Sequence, residues 1–358
     1  VPPAEREPDE PIRPWSIHLP DVGVLVASAL SSLALMWVIF TQFLPLSGGL
    51  GFAICWYVGF LVIYWVVVRE IDGRVIAADR VVGVIITSAA IAILVPLVLI
   101  VVFVLSKGIS ALTTNFFTQT QEFVGPLSAA TEGGALHAIV GTFEQIALAM
   151  LISVPLGILT AVFLNEVGGP LARPVRMFVD AMSGVPSIVA GLFIYAIWVV
   201  GAGQGFSGLA AAFALSILML PTVTRTVEEV LRLVPDGLRE ASLALGSKQW
   251  RTTWSVVLPT ARSGLITAVI LGVARAIGET APLIMTSFGA SLLNANPVEG
   301  AQSSLPLFVY TQIRSPKAAQ ITRAYTAALV LIFLVLGLFL LARLVGSGIG
   351  RAARRQRR

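Results

Sequence analysis

The apolar positions of this chain run in long unbroken blocks, not in stripes. Eight blocks approach the roughly 20 residues that a helix needs to cross a hydrocarbon layer about 30 Å thick. They are 22–44, 50–68, 84–105, 138–164, 177–200, 206–220, 264–288 and 324–342, the sixth being the shortest. A membrane-spanning β-strand would alternate apolar and polar residues over about 10 positions, so the blocks predict helices. No fixed-period repeat is visible. Polar residues gather in three places: the Pro-rich, mixed-charge stretch 1–20, the segment 226–262, and the basic stretch 347–358. The first reads as a disordered tail and lacks the framing of a signal peptide.

Composition turns the pattern into a class. Of 358 residues, 56% are hydrophobic and 12% charged, with mean hydropathy +0.89. A soluble domain carries about 25% charged residues, so lipid must be the solvent for much of this surface. Cys55 is the single cysteine, which excludes a disulfide framework and a multi-cysteine metal site. His18 and His137 lie far apart and form no ligand pattern, so no metal or other cofactor is expected in this chain.

The net charge of +5 is unevenly placed. Arg69, Arg74 and Arg80, then Arg173 and Arg176, then Arg225, Arg232, Arg239, Lys248, Arg251 and Arg262, and finally Arg343 and Arg351 to Arg358 fall on alternate sides of the blocks. Lys and Arg mark the cytoplasmic side. Eight spans with both ends in the cytoplasm satisfy that rule. The basic end reads as an anchor touching anionic lipid, and nucleic-acid binding is not expected.

The segment 226–262 is polar but patterned. Residues 227–234 read as a short helix ended by Pro235. Asp236 offers an N-cap oxygen, and Leu238, Ala241, Ser242 and Leu245 share one helical face. Gly246 supplies a left-handed C-terminal position. Ser247 would cap a second helix bearing Trp250, Trp254 and Val257 on one side, closed by Pro259. A helix, glycine hinge and helix on the cytoplasmic side suit either an amphipathic hairpin lying on the membrane or a plug that enters a groove on a partner.

The residues R-E-A-S-L-A-L-G at 239–246 and W-S-V-V-L-P at 254–259 resemble the cytoplasmic coupling motif of ABC importer permeases. Glu240, Ala241, Gly246, Leu258 and Pro259 match it at the expected spacing, with Ser242 in place of a second alanine and Val256 in place of isoleucine. The resemblance implies that this loop inserts into an ATP-binding subunit and carries its closure to the membrane helices. ATP and Mg would then be held by that partner, for no G-x-x-x-x-G-K-[ST] run occurs here.

Arg275 and Glu279 stand inside the seventh block. Counted from Ser263 at 1.5 Å per residue, Arg275 lies about 18 Å into a continuous helix, with Glu279 one turn further on the same face. Ionisable groups at that depth cost at least about 2.5–3.5 kcal/mol and are functional by default; a structural ion pair joining helices is the competing reading. The guanidinium fork of Arg275 suits an oxyanion. Glu279 would repel a fully ionised anion but accept a hydrogen bond from one that still carries a proton, as inorganic phosphate does near neutral pH. Thr280 adds a hydroxyl, and Pro282 frees backbone groups. Asp180 is expected in a local ion pair with the arginines just before it, and Glu144 carries no site.

The strings A-R-A-I-G-E-T-A-P-L at 274–283 and G-V-P-S-I-V-A-G-L-F at 184–193 also resemble the phosphate-importer permeases, the former more like the second of the two permeases in that system. This implies an all-α integral membrane protein with a six-helix permease core, 71–346, preceded by an extra helix pair, 21–70. It also implies a second permease subunit in a heterodimer, two ATP-binding subunits and an extracytoplasmic phosphate-binding protein. Other readings are a permease for sulfate or molybdate, against which Glu279 argues electrostatically, and a gradient-driven carrier or channel. The latter commonly shows inverted repeats and broken helices, which the sequence does not display.

Overall fold

The computed structural model describes residues 19–43, 48–125 and 127–355. The tail read over 1–20 lies outside them except for Leu19 and Pro20, and the basic end lies outside them from residue 356. The architecture is all-helical, as expected. In chain order the helices are α1 Leu19–Val38, α2 Gly49–Asp72, α3 Arg74–Gly108, α4 Thr114–Thr118, α5 Leu136–Val162, α6 Ala172–Ser183 and α7 Ser187–Ile194. They continue with α8 Gly208–Arg232, α9 Asp236–Ala244, α10 Gln249–Thr252, α11 Leu258–Ala276, α12 Ala281–Thr286, α13 Leu305–Ile313 and α14 Ala318–Arg355. Wider π-helical turns extend several of them, at Ile39–Phe43, Phe163–Val167, Tyr195–Gly201 and Thr253–Val257. Among the described residues, seven helices are long and apolar enough to cross a membrane, and an eighth crossing exists if the pair α6 and 187–201 counts as one span. Helices dominate because backbone groups have no water partner in lipid and must be satisfied within the segment.

Two compact units divide the chain, Val1–Ile100 and Val101–Arg358. In the first, α1 and α2 pack around Phe60, Tyr64, Val68 and Ala77. Polar ties close this unit: Ser32 Oγ donates to the Trp56 carbonyl at 2.9 Å, Trp56 Nε1 to the Ala29 carbonyl at 3.0 Å, and Arg80 pairs with Asp21 at 2.8 Å and Asp72 at 3.4 Å.

The second unit is built around α8, the most deeply buried of the candidate spans. Small residues let backbones approach where no hydrophobic force drives helices together. Ala149, Ser153 and Gly157 of α5 face Ala212, Ser216 and Val223 of α8, with Ser216 Oγ bonded to the Ala212 carbonyl at 2.7 Å. α11 also packs on α8, and a Cβ placed on Gly272 would stand 2.7 Å from the same Val223. The outer flank is α14, whose Thr326 donates to the Gly108 carbonyl at 2.8 Å.

Three of the expected spans differ in the structure. The sixth is 25 residues long, because residues 227–232, read as a separate short helix, continue α8 without a break. The fifth bends by 104° between α6 and the helix that starts at Ser187. Gly184 and Pro186 cause it: Pro186 fixes φ at −58° and has no N–H to continue the ladder. The seventh stops at Ala276 and restarts at Ala281, with Pro282 in the first turn of α12. Pro282 cannot donate to the Gly278 carbonyl, four residues back, so the helix opens there. The chain thus contains two broken helices: the opening at Pro282 agrees with the backbone groups it was expected to free, whereas the one at Gly184–Pro186 was not expected.

The two broken spans meet. A Cβ on Gly191 of α7 would lie 2.6 Å from Pro282 Cα and 3.0 Å from its carbonyl oxygen. Backbone cannot yield there as a flexible side chain could, so Gly191→Ala should destabilise the protein by about 1–3 kcal/mol. Gly337→Ala, where nothing lies within 4 Å, should be neutral or slightly stabilising. Thermal unfolding of the purified protein in detergent measures both.

Candidate functional site

The break between α11 and α12 separates Arg275 from Glu279. Arg275 is the last basic residue of α11. Beyond it Ile277 N bonds to the Val273 carbonyl at 2.9 Å and Glu279 N to the Ala276 carbonyl at 3.1 Å, and the helix is over. Glu279 is therefore not one turn along the same helical face, and among the described residues the two side chains form no ion pair. Arg275 is exposed and donates from Nη1 to Thr222 Oγ1 of α8 at 3.1 Å. Glu279 and Thr280 are half-buried, and neither side chain has a hydrogen-bond partner among the described residues.

Thr222 opens a polar stripe down α8. Arg225, Glu228 and Arg232 follow at steps of 3, 3 and 4, which keeps them on one face. Arg225 pairs with Asp180 of α6. The Glu228 side chain, 3% exposed, accepts from Arg176 of α6 at 2.6 Å and from Arg232 at 2.6 Å, with Arg225 at 3.8 Å. Asp180 does sit in an ion pair, but its partner comes from α8 and not from the arginines preceding it. A buried carboxylate surrounded by three guanidinium groups is satisfied where a lone one would be costly. From the sequence, Arg225 and Arg232 marked only the orientation of the chain, and Arg176 was expected beside Asp180, not Glu228. The threonine, arginine and glutamate spacing was the available signal.

The stripe ends at the hairpin of residues 236–257. Its first helix is α9, with Pro235 as N-cap and Asp236 inside the first turn, not at the cap. Gly246 adopts φ +82°, a left-handed conformation that glycine takes without strain. The N-cap of α10 is Lys248, not Ser247, and makes no side-chain bond. Pro259 does not close the second helix. It sits in the first turn of α11, where a missing N–H is harmless, so Gln249–Ala276 runs as one helix through a π-helical turn. Glu240, Ala241, Gly246 and Pro259 are exposed, Ser242 is half-buried and Leu258 is buried. Leu238, Leu243, Leu245 and Trp250 project outward as an apolar surface.

Arg239 ties this hairpin down. Its guanidinium grips Glu166 with both arms, Nη2 to Oε1 at 2.8 Å and Nε to Oε2 at 3.2 Å. It also donates to the carbonyls of Leu231 at 2.9 Å and Val234 at 2.7 Å and to Asp236 at 3.0 Å. The bonds it donates to Glu166 hold its pKa above the ordinary arginine value, against the lowering effect of burial. Ser242 and Thr252 join the two arms of the hairpin at 2.9 Å. An open cleft of about 630 Å³ lies between Glu166, Arg239 and Gln249.

At the opposite end of the bundle, the loop 287–304 folds back over α5. Gln145, fully buried, donates to Gln302 Oε1 at 3.1 Å, and Gln302 in turn donates to Glu144 and to the Asn294 carbonyl. Glu144 thus anchors a loop. His137 is buried against Phe308, at 5.5 Å between rings. No group of three His, Cys, Asp or Glu side chains that could hold a metal ion occurs among the described residues.

Residues 153–351, which carry the break, the stripe and the hairpin, match the family model of binding-protein-dependent transport system inner membrane components. The chain belongs to that family. It is 44% identical to the phosphate transport system permease protein PstA of Mycobacterium leprae over 246 residues, covering 68% of this chain and 81% of that protein. It is 41% identical to PstA 1 of Mycobacterium tuberculosis H37Rv, covering 70% and 82%, and 37% identical to PstA of Pasteurella multocida, covering 67% and 84%. Among solved structures, an inward-facing form of the MetNI methionine ABC transporter covers 60% of this chain and 94% of its own at a TM-score of 0.47 and 23% identity.

Within this family member the stripe on α8 makes a direct prediction. Glu228→Gln leaves Arg176 and Arg232 facing a neutral amide and should lower stability by about 1–3 kcal/mol. Glu229→Gln, on an exposed neighbour, should stay within about 0.5 kcal/mol. Unfolding in detergent compares the pair.

Proposed function

We propose that this chain is the membrane-spanning permease subunit of an ATP-driven importer of inorganic phosphate. The cargo rests on the relatives at 37–44% identity, which are phosphate transport permeases by name. The path rests on one observation: the break at 277–280 presents a half-buried carboxylate and hydroxyl, Glu279 and Thr280, without partners among the described residues, next to an arginine that donates to the hydroxyl of Thr222. Charged or polar groups left free at membrane depth line water or cargo, not lipid.

In this reading both chain ends and the hairpin 236–257 face the cytoplasm, because that side carries the arginines. Residues 71–346 form the six-helix core and 21–70 an extra pair of helices. The outward-facing Leu238, Leu243, Leu245 and Trp250 dock with Glu240 into an ATP-binding subunit, and the left-handed Gly246 sets the angle between the hairpin's arms. Two such ATPase subunits, which bind ATP and Mg, a second permease in a heterodimer and an extracytoplasmic phosphate-binding protein complete the assembly.

Arg275 meets the oxyanion, releasing Thr222 as it does so. Glu279 accepts a hydrogen bond from the protonated oxygen that phosphate carries and sulfate lacks, and so reads the cargo. Labelled phosphate uptake with competing sulfate, at fixed pH, tests this. Arg275→Gln should reduce uptake at least tenfold in an assembled complex, since a neutral amide does not offset the anion's desolvation. Arg275→Lys should recover part of it, because a point charge lacks the fork. Glu279→Gln should retain some uptake and lose discrimination against sulfate. Unchanged transport by Arg275→Gln would assign the arginine a structural role and reject the site.

A further inference from the structure

α9 is only nine residues long, and helices this short are not stable alone in water. Something must hold it on the bundle, and the holding contacts converge on one residue of another element. Glu166 lies in the π-helical turn Phe163–Val167 that ends the fourth span, and its side chain is 7% exposed. Its carboxylate takes both arms of Arg239 from α9. Its backbone carbonyl takes the side-chain amide of Gln249 from α10. Arg239 meanwhile donates to the Leu231 carbonyl, which also accepts from Val234 N, and to the Val234 carbonyl just past the end of α8. Both arms of the hairpin are therefore fastened to α5, and one of them to α8 as well.

We infer that Glu166 is a positioning residue that transmits motion of the coupling hairpin to α5 and α8. This rests on the coupling role proposed above and adds a second route to it. The first route is covalent, since α10 continues into α11 as one helix. That route alone would move α11 past α8 and shear the contact between Arg275 and Thr222. With the Glu166 junction intact, α5, α8 and α11 shift together, and the polar stripe from Arg225 to Arg232 keeps its alignment with the break. A bidentate arginine–carboxylate pair suits this task because its two parallel bonds resist rotation as well as separation.

The test uses the complete complex with its ATP-binding subunit and binding protein in liposomes, reading ATP hydrolysis and labelled phosphate uptake in the same preparation. Glu166→Gln keeps the size of the side chain and loses the charge-assisted fork. It should leave hydrolysis within about twofold and raise the ATP consumed per phosphate at least fivefold. Gln249→Leu, which removes only the second tie, should raise that ratio in the same direction by less. An unchanged ratio in both variants overturns the proposal, whether the rates stay normal or fall together, because a purely structural contact would alter the amount of working complex and not its stoichiometry. If Glu166→Gln does not assemble, the Gln249→Leu ratio decides. Hydrolysis without phosphate uptake in the unmutated complex would instead reject phosphate as cargo. The junction would then be read from spin labels at Leu171→Cys and Lys248→Cys in a Cys55→Ala background. Their separation must hold through the ATP cycle with Glu166 present and shift with Glu166→Gln, and an equal shift in both overturns the proposal.

Discussion

Every backbone N–H and C=O at membrane depth must find a partner inside the protein, and the rest of this structure depends on where that requirement is relaxed. Most of the chain obeys it with uninterrupted helices, including α3, α5 and α8, which carry Pro96, Pro155 and Pro221 without a break. It is relaxed at two places, between α6 and α7 and between α11 and α12. The broken ends are packed against each other through Gly191 and Pro282, and α8 lies against both. Opening a helix inside the bundle creates polar, non-helical backbone next to Arg275, Glu279 and Thr280. A straight helix would have buried those groups in a ladder or turned them to lipid.

Charge is handled differently at the two depths. Toward the hairpin the stripe is held by ion pairs: Arg225 with Asp180, Glu228 with Arg176 and Arg232, and Arg239 with Glu166. At the break Arg275 and Glu279 form none among the described residues. Pairing makes the lower stripe a rigid frame, whereas the free carboxylate of Glu279 has exchangeable interactions to offer a passing anion. The same side-chain chemistry thus serves as scaffold in one place and as path in the other, and partner count distinguishes them.

Much of this was legible in the sequence. Long apolar blocks fixed the helical class, since no other structure satisfies its backbone in lipid. The hairpin was legible from Gly246, whose left-handed conformation the structure contains. The misses share one cause: hydropathy averages over a window and does not register a single backbone bond. Pro186 and Pro282 break their helices, while Pro259 sits harmlessly in a first turn, and only position within the ladder separates these outcomes. The sixth span was cut short because Arg225, Glu228 and Arg232 placed the segment after it outside the apolar block, although each is neutralised by a partner more than two residues away. Glu166 left no pattern at all, because its partners come from 73 and 83 residues along the chain.

The central claim is that the break at 277–280 faces an aqueous path and is not a sealed kink. Single cysteines at Glu279, Thr280 and Leu283, in a Cys55→Ala background, test it in the assembled complex with a small water-soluble thiol reagent. Leu283 is 2% exposed and packed in the core. The account predicts that positions 279 and 280 react, that phosphate slows the reaction, and that position 283 stays protected. Protection of 279 and 280 to the same degree as 283, with and without ATP, would contradict it.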